Sequence, residues 1–261
     1  MFCIDQEGGS VNRIKFNSFE LKSANSYSSK DIHYVAQQYY ENAKKLAQVG
    51  INVNFSPVVD VKRDIENIVI GSRSFSHDPF VTAKYAQIVI DQQRKFNILS
   101  VIKHFPGHGQ TKADSHYNLP IHSDPMSLES YDIYPFFKLI SNGANAVMVG
   151  HVMYPSIDSR YPASLSKKMV TDILIEDMKF EGLIFSDDIN MGAIKSAYTL
   201  KDAWVFSVKA GVDQVIMISS YKRSKRVLNE LNKMLYRNKN LYDILNINSQ
   251  QILSFKQNHL N

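Results

Sequence analysis

Residues 103 to 116, "KHFPGHGQTKADSH", hold His104, His108, His116, Asp114 and Lys103 around two glycines and a proline. Histidines and a carboxylate this close together are the usual ligands of zinc and related ions. Against a metal, Lys103 sets a cation among the would-be ligands, and the chain carries neither HExxH nor CxxC spacing. No metal is expected. Further along, "GLIFSDD" (182 to 188) ends an apolar run on two carboxylates, Asp187 and Asp188. A carboxylate delivered into a cavity with basic neighbours stays ionised. Proton transfer, nucleophilic attack or simple loop shaping are all open to this set of side chains.

The elements that must position them are short apolar runs alternating with helical patterns. The runs are "FCID" (2 to 5), "INVNFSP" (51 to 57), "LSVIKHF" (99 to 105), "NAVMVGH" (145 to 151), "GLIFSDD" (182 to 188) and "DQVIMIS" (213 to 219). Each reads as a strand buried on both faces, as parallel sheets require. Between them fall helices expected at about 31 to 49, 79 to 96, 127 to 142, 167 to 179, 199 to 210 and 222 to 235. Asp78-Pro79, Ser127 and Ser166 are their start signals, and "VG", "NG" and "AG" at 49, 142 and 210 their stops. The alternation and the length of 261 residues predict a single α/β domain over 1 to 261, a (β/α)8 barrel of TIM type. Asp5, Glu7, Asp60, Lys103, His104, His151, Asp187 and Asp188 all fall at or just beyond the ends of the runs. Those are the C-terminal strand ends on which barrels build their sites. A lone strand-end aspartate is as often a helix cap. It is the convergence that points to chemistry.

Composition excludes several classes. At 44% apolar and 21% charged residues the chain can bury a large core. The net charge of +5 is dispersed among acidic residues, which argues against nucleic acid, and the one basic cluster (Lys222, Arg223, Lys225, Arg226) reads as a solvated helix face. No apolar run reaches the roughly 18 residues of a membrane helix. Lone Cys3 rules out an internal disulfide, and no leader is read before the first run, so a cytoplasmic protein is expected.

Four segments, in order, carry a specific resemblance: "DQEGGSVNRI" (5 to 14), "GSRSFSHDP" (71 to 79), "IKHFPGHGQTKADSH" (102 to 116) and "IFSDDINMGAI" (184 to 194). Together they resemble the family 3 glycoside hydrolases, in the β-N-acetylhexosaminidase branch, from residue 2 to about residue 220. The resemblance implies that Asp187 is the nucleophile of a retaining double displacement, and that His116, paired with Asp114, is the acid-base group. The residue chemistry agrees, because an aspartate two residues away can set the tautomer and basicity of an imidazole that donates and recovers a proton. The resemblance also implies that Asp5, Arg13, Arg73, Lys103 and His104 bind the sugar. His108, between glycines, is read as shaping the loop. Met191 and the phenylalanines 75, 80 and 105 are read as core.

The implied activity is an exo-β-N-acetylglucosaminidase of peptidoglycan-recycling type, free of metal and organic cofactor. Its substrate would be a small saccharide, a muropeptide or a chitobiose-like sugar, with neither nucleic acid nor membrane as partner. A β-glucosidase of the same family and an inactive remnant that only binds are the alternatives. Two departures stand out. Ser10 replaces the family's usual arginine after the paired glycines, and the chain opens on the "DQEGG" strand, where relatives have a strand and helix before it. The barrel is therefore expected to lack its first βα unit, with a seventh strand sought in 58 to 72 and a terminal helix from about 238.

Overall fold

The computed structural model describes residues 1–15, 20–64, 66–111 and 114–259, and of Ser127 only the backbone. Five of the six expected runs contain parallel strands, and the sixth, 213 to 219, contributes one parallel bridge. Strands β1 (Cys3–Ile4), β4 (Val53–Asn54) and β5 (Leu99–Ser100) pair in that order, as do β6 (Ile102–Phe105), β7 (Ala146–Val149) and β8 (Leu183–Ser186). The two groups join through Lys103, whose N–H donates to the Pro57 carbonyl and whose carbonyl accepts from Val59. Beyond β8, Gln214 bridges Phe185, which makes the last run the far end of the arc. A two-stranded antiparallel ladder, β2 (Gln6–Gly8) with β3 (Val11–Asn12), stands at the end of β1.

This corrects the expected barrel in two respects. The described strands form an open arc, with no ladder bond between β1 and Gln214, whose Nε2 instead reaches Met1 Sδ at 3.8 Å. No seventh strand lies among the described residues of 58 to 72. Pro57 to Val59 extend β4 onto Lys103, and a 3-10 turn, Gly71–Arg73, follows. Ile65, in the middle of that region, lies outside the described residues, as do Lys112 of the expected loop and the last two residues of the terminal helix.

Alternation within the apolar runs sorts side chains to two sides. Val53, Phe55, Leu99, Val101, Ala146, Met148, Leu183 and Phe185 form the cluster inside the arc. Val59, Ile102, Val147, Val149 and Ile184 point outward into a larger cluster beneath the helices. Helix α1 (Ile32–Gln48) starts where the Asp31 carboxylate accepts from the N–H groups of His33 and Tyr34, and it buries Val35, Tyr39, Asn42, Ala43 and Leu46 along one stripe. Asp78 caps α2 (Pro79–Arg94) in the same way. The next expected start, Ser127, is wrong. The cap is Asp124, which accepts from Met126, and α3 (Pro125–Ser127) runs through a π turn, Leu128–Ile133, into α4 (Tyr134–Ser141). Residues Lys168–Asp177 are also π-helical.

Helix α5 (Gly192–Lys195) is one turn, and α6 (Leu200–Ala210) ends on left-handed Gly211. The basic cluster lies on α7 (Tyr221–Leu235), which buries only Val227 and Leu231, so the solvated-face reading holds. Helix α8 (Lys239–His259) is the expected terminal helix. Its Ile252 and Phe255 pack against the cluster inside the arc. Among the described residues no helix is long and apolar enough to cross a membrane.

Candidate active site

The strand ends open into a cavity of about 530 Å³, and seven of the eight expected site residues line it: Asp5, Arg13, Arg73, Lys103, His104, His116 and Asp187. The eighth, Asp114, stands behind His116. A larger cavity, about 720 Å³, lies between loop 155–161 and α6, but it gathers none of the converging acids and histidines. The smaller one is the candidate site.

One wall is a continuous chain of charged and polar contacts. Asp60, fully buried, accepts from His104 Nδ1 at 2.7 Å and from the backbone N–H groups of His104 and His108 at 3.2 and 2.7 Å. Burial works to raise its carboxyl, but His104 and His108 outweigh that and hold it below the usual carboxylate range. With Nδ1–H committed to the carboxylate, the network leaves His104 Nε2 as an acceptor, and Arg73 Nη2 lies 3.4 Å away. Arg73 forks onto Glu7, Nε at 2.8 Å and Nη2 at 2.9 Å, and Nη1 reaches the Val69 carbonyl. Lys103 then sits 2.6 Å from Glu7 and 2.7 Å from Asp5. Its ammonium fills the space between those two carboxylates. Arg13, at the exposed end of β3, lines the mouth, and its backbone N–H donates to Gln6.

Asp187 follows β8, its N–H donating to the Val149 carbonyl. It is half-buried, and that desolvation favours the neutral acid. The fields of His151, His104 and Lys103 and the Asp188 N–H, 2.8 Å from its Oδ1, prevail and keep the carboxyl below its ordinary range. His151, fully buried, is held between Ser164 Oγ and the Asp188 carbonyl at 2.6 and 3.0 Å. Burial pushes its pKa down against the opposing pull of Asp187 and Asp188, and the two bonds make the ring a brace for the strand end.

The loop after β6 carries the remaining pair. His108 anchors its base, Nδ1 to Thr111 Oγ1 at 2.5 Å and Nε2 to Ser115 Oγ at 3.2 Å, while its carbonyl accepts from Asn67 at 2.7 Å. Burial drives His108 down to about 4, so it is neutral at ordinary pH. Gly109 passes so near the Val61 carbonyl that a Cβ there would lie 1.8 Å from it. Farther out, Asp114 Oδ1 accepts from both the N–H and Nδ1 of His116, at 2.8 and 2.7 Å. Burial of Asp114 is slight, and those two donors hold its pKa down. Nδ1 being occupied, Nε2 is the nitrogen free to meet a ligand. The backbone of α5 clamps the loop's far side, Gly192 donating to the His116 carbonyl and Ala193 to that of Ser115.

Sequence reasoning thus named most of the residues that line this cavity but missed others. Glu7, seen only as one of several strand-end groups, is the carboxylate of the wall that holds both Arg73 and Lys103. Its place directly after Asp5-Gln6 was the available signal. Asp60 likewise had only its position to recommend it. Met191 was read as core and lines the cavity instead, whereas Phe75 and Phe105 are buried as expected. Phe80, also read as core, is an exposed exception at 63%.

An α/β arc that gathers acids, histidines and cations around a cavity at its strand ends has the layout of an enzyme site. The sequence pattern of the glycosyl hydrolase family 3 N terminal domain matches residues 1–254, and the chain belongs to that family. It is 33% identical over 239 residues to a beta-hexosaminidase of Hydrogenovibrio crunogenus, covering 88% of this chain and 66% of that protein. It superposes with a TM-score of 0.90 and 28% identity on a glycoside hydrolase family 3 beta-N-acetylglucosaminidase from Paenibacillus, across 99% of this chain and 50% of that one. A glycosyl hydrolase of the same family from Mycobacterium smegmatis gives 0.85 and 32% over 95% of this chain and 78% of that one. The chain therefore spans about two thirds of the first relative and half of the second.

Proposed function

We propose that this chain is a retaining exo-β-N-acetylglucosaminidase. The observation that carries the reading is a half-buried, ionised Asp187 at the end of β8 and a His116–Asp114 pair with Nε2 free, with Asp187 and His116 on one cavity. Asp187 attacks the anomeric carbon, the bond to the leaving oxygen breaks, and protonated His116 gives its Nε2 proton to that oxygen. Water then attacks the same carbon, His116 takes the proton back, and the bond to Asp187 breaks. Asp114 stabilises the imidazolium in the first half and orients the ring in the second. Asp5, Arg73, Lys103, His104 and Arg13 grip the sugar hydroxyls and acetamide.

The names of the relatives support N-acetylhexosamine as the sugar. A small muropeptide or chitobiose-like substrate, a role in peptidoglycan recycling and a cytoplasmic location are the finer reading, as is a (β/α)8-type ring of which the arc is a part. Proton NMR of the first-formed product tests the mechanism. β-Configured N-acetylglucosamine is the expected product, and an α product would overturn double displacement.

A further inference from the structure

Glu7 is held more tightly than any substrate contact requires. Its side chain is only 5% exposed, both carboxylate oxygens are engaged, and its partners are the two cations that face the sugar. Burial alone would neutralise it, yet Lys103 and Arg73 pull it down to about 2. The donors can be counted. Arg73 gives Nε–H and one Nη2–H to Glu7, another Nη2–H to His104 and one Nη1–H to Val69, which leaves one of its N–H groups without a partner among the described residues. Lys103 gives one proton to Asp5 and one to Glu7, and again one is left.

We infer that Glu7 is the positioning residue of the sugar grip. Its charge draws Arg73 and Lys103 against one carboxylate and so aims a single spare donor from each into the cavity. It also keeps two adjacent cations from repelling each other inside a buried wall. Gly8 makes the placement possible, since at its φ of 99° a Cβ would meet the Lys22 carbonyl at 2.3 Å. This inference rests on the glycosidase reading for its effect on turnover, but not for the geometry.

The test uses Glu7→Gln and Glu7→Ala in the full chain, with far-UV circular dichroism as the folding check and sodium formate as a stand-in carboxylate. Glu7→Gln keeps the shape and loses the charge, and its kcat/KM on an aryl β-N-acetylglucosaminide is expected to fall about 10- to 100-fold, the rate equivalent of a charged hydrogen bond left unmade. Glu7→Ala opens room, so formate is expected to restore its kcat/KM several-fold and saturably, and to raise its Tm. Neither formamide nor the same formate on wild type should do so. A residue that served only to pack would show no formate dependence. Wild-type kcat/KM in Glu7→Gln, or a folded Glu7→Ala whose turnover and Tm ignore formate, overturns the inference. If wild type itself turns over no such substrate, the glycosidase reading fails, and the formate-dependent Tm of Glu7→Ala alone decides the role of Glu7.

Discussion

The two halves of the site are built in opposite ways. In the strand-end wall, the inner pair Lys103 and Glu7 is 2% and 5% exposed, and Glu7 is met by two cations, while Asp5 at the rim is 34% exposed. In the loop, the His116 and Asp114 side chains are 61% and 28% exposed and lean chiefly on each other. The contrast fits the tasks proposed for them. A grip must not move, so it is buried, where ion pairs are strong and costly to break. An acid-base group must meet first a leaving group and then a water, and an exposed ring is open to both. Surface pairs of this kind add little to stability, so the loop should be dispensable to folding and the wall should not.

The sharpest challenge to this division is Asp187→Ala, which should abolish nearly all turnover. A 2-deoxy-2-fluoro sugar reagent should label Asp187 in the wild type, and a label on Asp188 would move the nucleophile by one residue. Next comes His116→Ala. Substrates with a sugar leaving group should slow by about 10² to 10⁴, the usual worth of general acid-base help, while activated aryl glycosides suffer far less. Equal losses on both, with a lowered Tm, would make the loop a structural element and erase the contrast.

The wall makes the reverse prediction. Asp60→Asn strips the charge from a buried acceptor of three hydrogen bonds, and denaturant unfolding should register a loss of about 3 kcal/mol. Acid should weaken the wall in a defined window. The Glu7 carboxyl lies near 2 in the folded chain against an ordinary 4.5. Its stabilisation is therefore complete above pH 4.5 and is lost as pH falls toward 2. The stability gap between wild type and Glu7→Gln should close over that interval. Smallest of all is Asp114→Asn, which should leave the unfolding free energy within about 1 kcal/mol of wild type and lower activity less than His116→Ala does. Exhaustive chelation should change nothing, and activity that is lost and then restored by zinc would return the histidines to the role of ligands.

Much of this was legible because period and punctuation are local. The six runs, the Asp78 cap and the stop at Gly211 follow from side-chain spacing and backbone freedom. The parts that were not legible depend on tertiary partners. Nothing in "DINMGA" says that Met191 turns toward a cavity, and Asp124 outcompetes Ser127 as a cap because Pro125 opens the helix two residues earlier. Closure of a sheet is likewise a matter of long-range pairing, which apolar runs do not encode. Glu7 was hidden by its neighbours, since one acid among several at strand ends carries no mark of the two cations that will fold against it.

The C-terminal helix has a bearing on hydration. Phe55, Met148 and Ile216 line the cavity; the first two belong to the apolar cluster inside the arc, and Ile216 packs against it, as do Ile252 and Phe255 of α8. The same cluster thus meets the cavity through Phe55 and Met148 and meets α8 through Ile252 and Phe255. Removing α8 would bare part of that cluster to water. The dryness of the proposed site's apolar side then depends on a helix that lines none of the cavity.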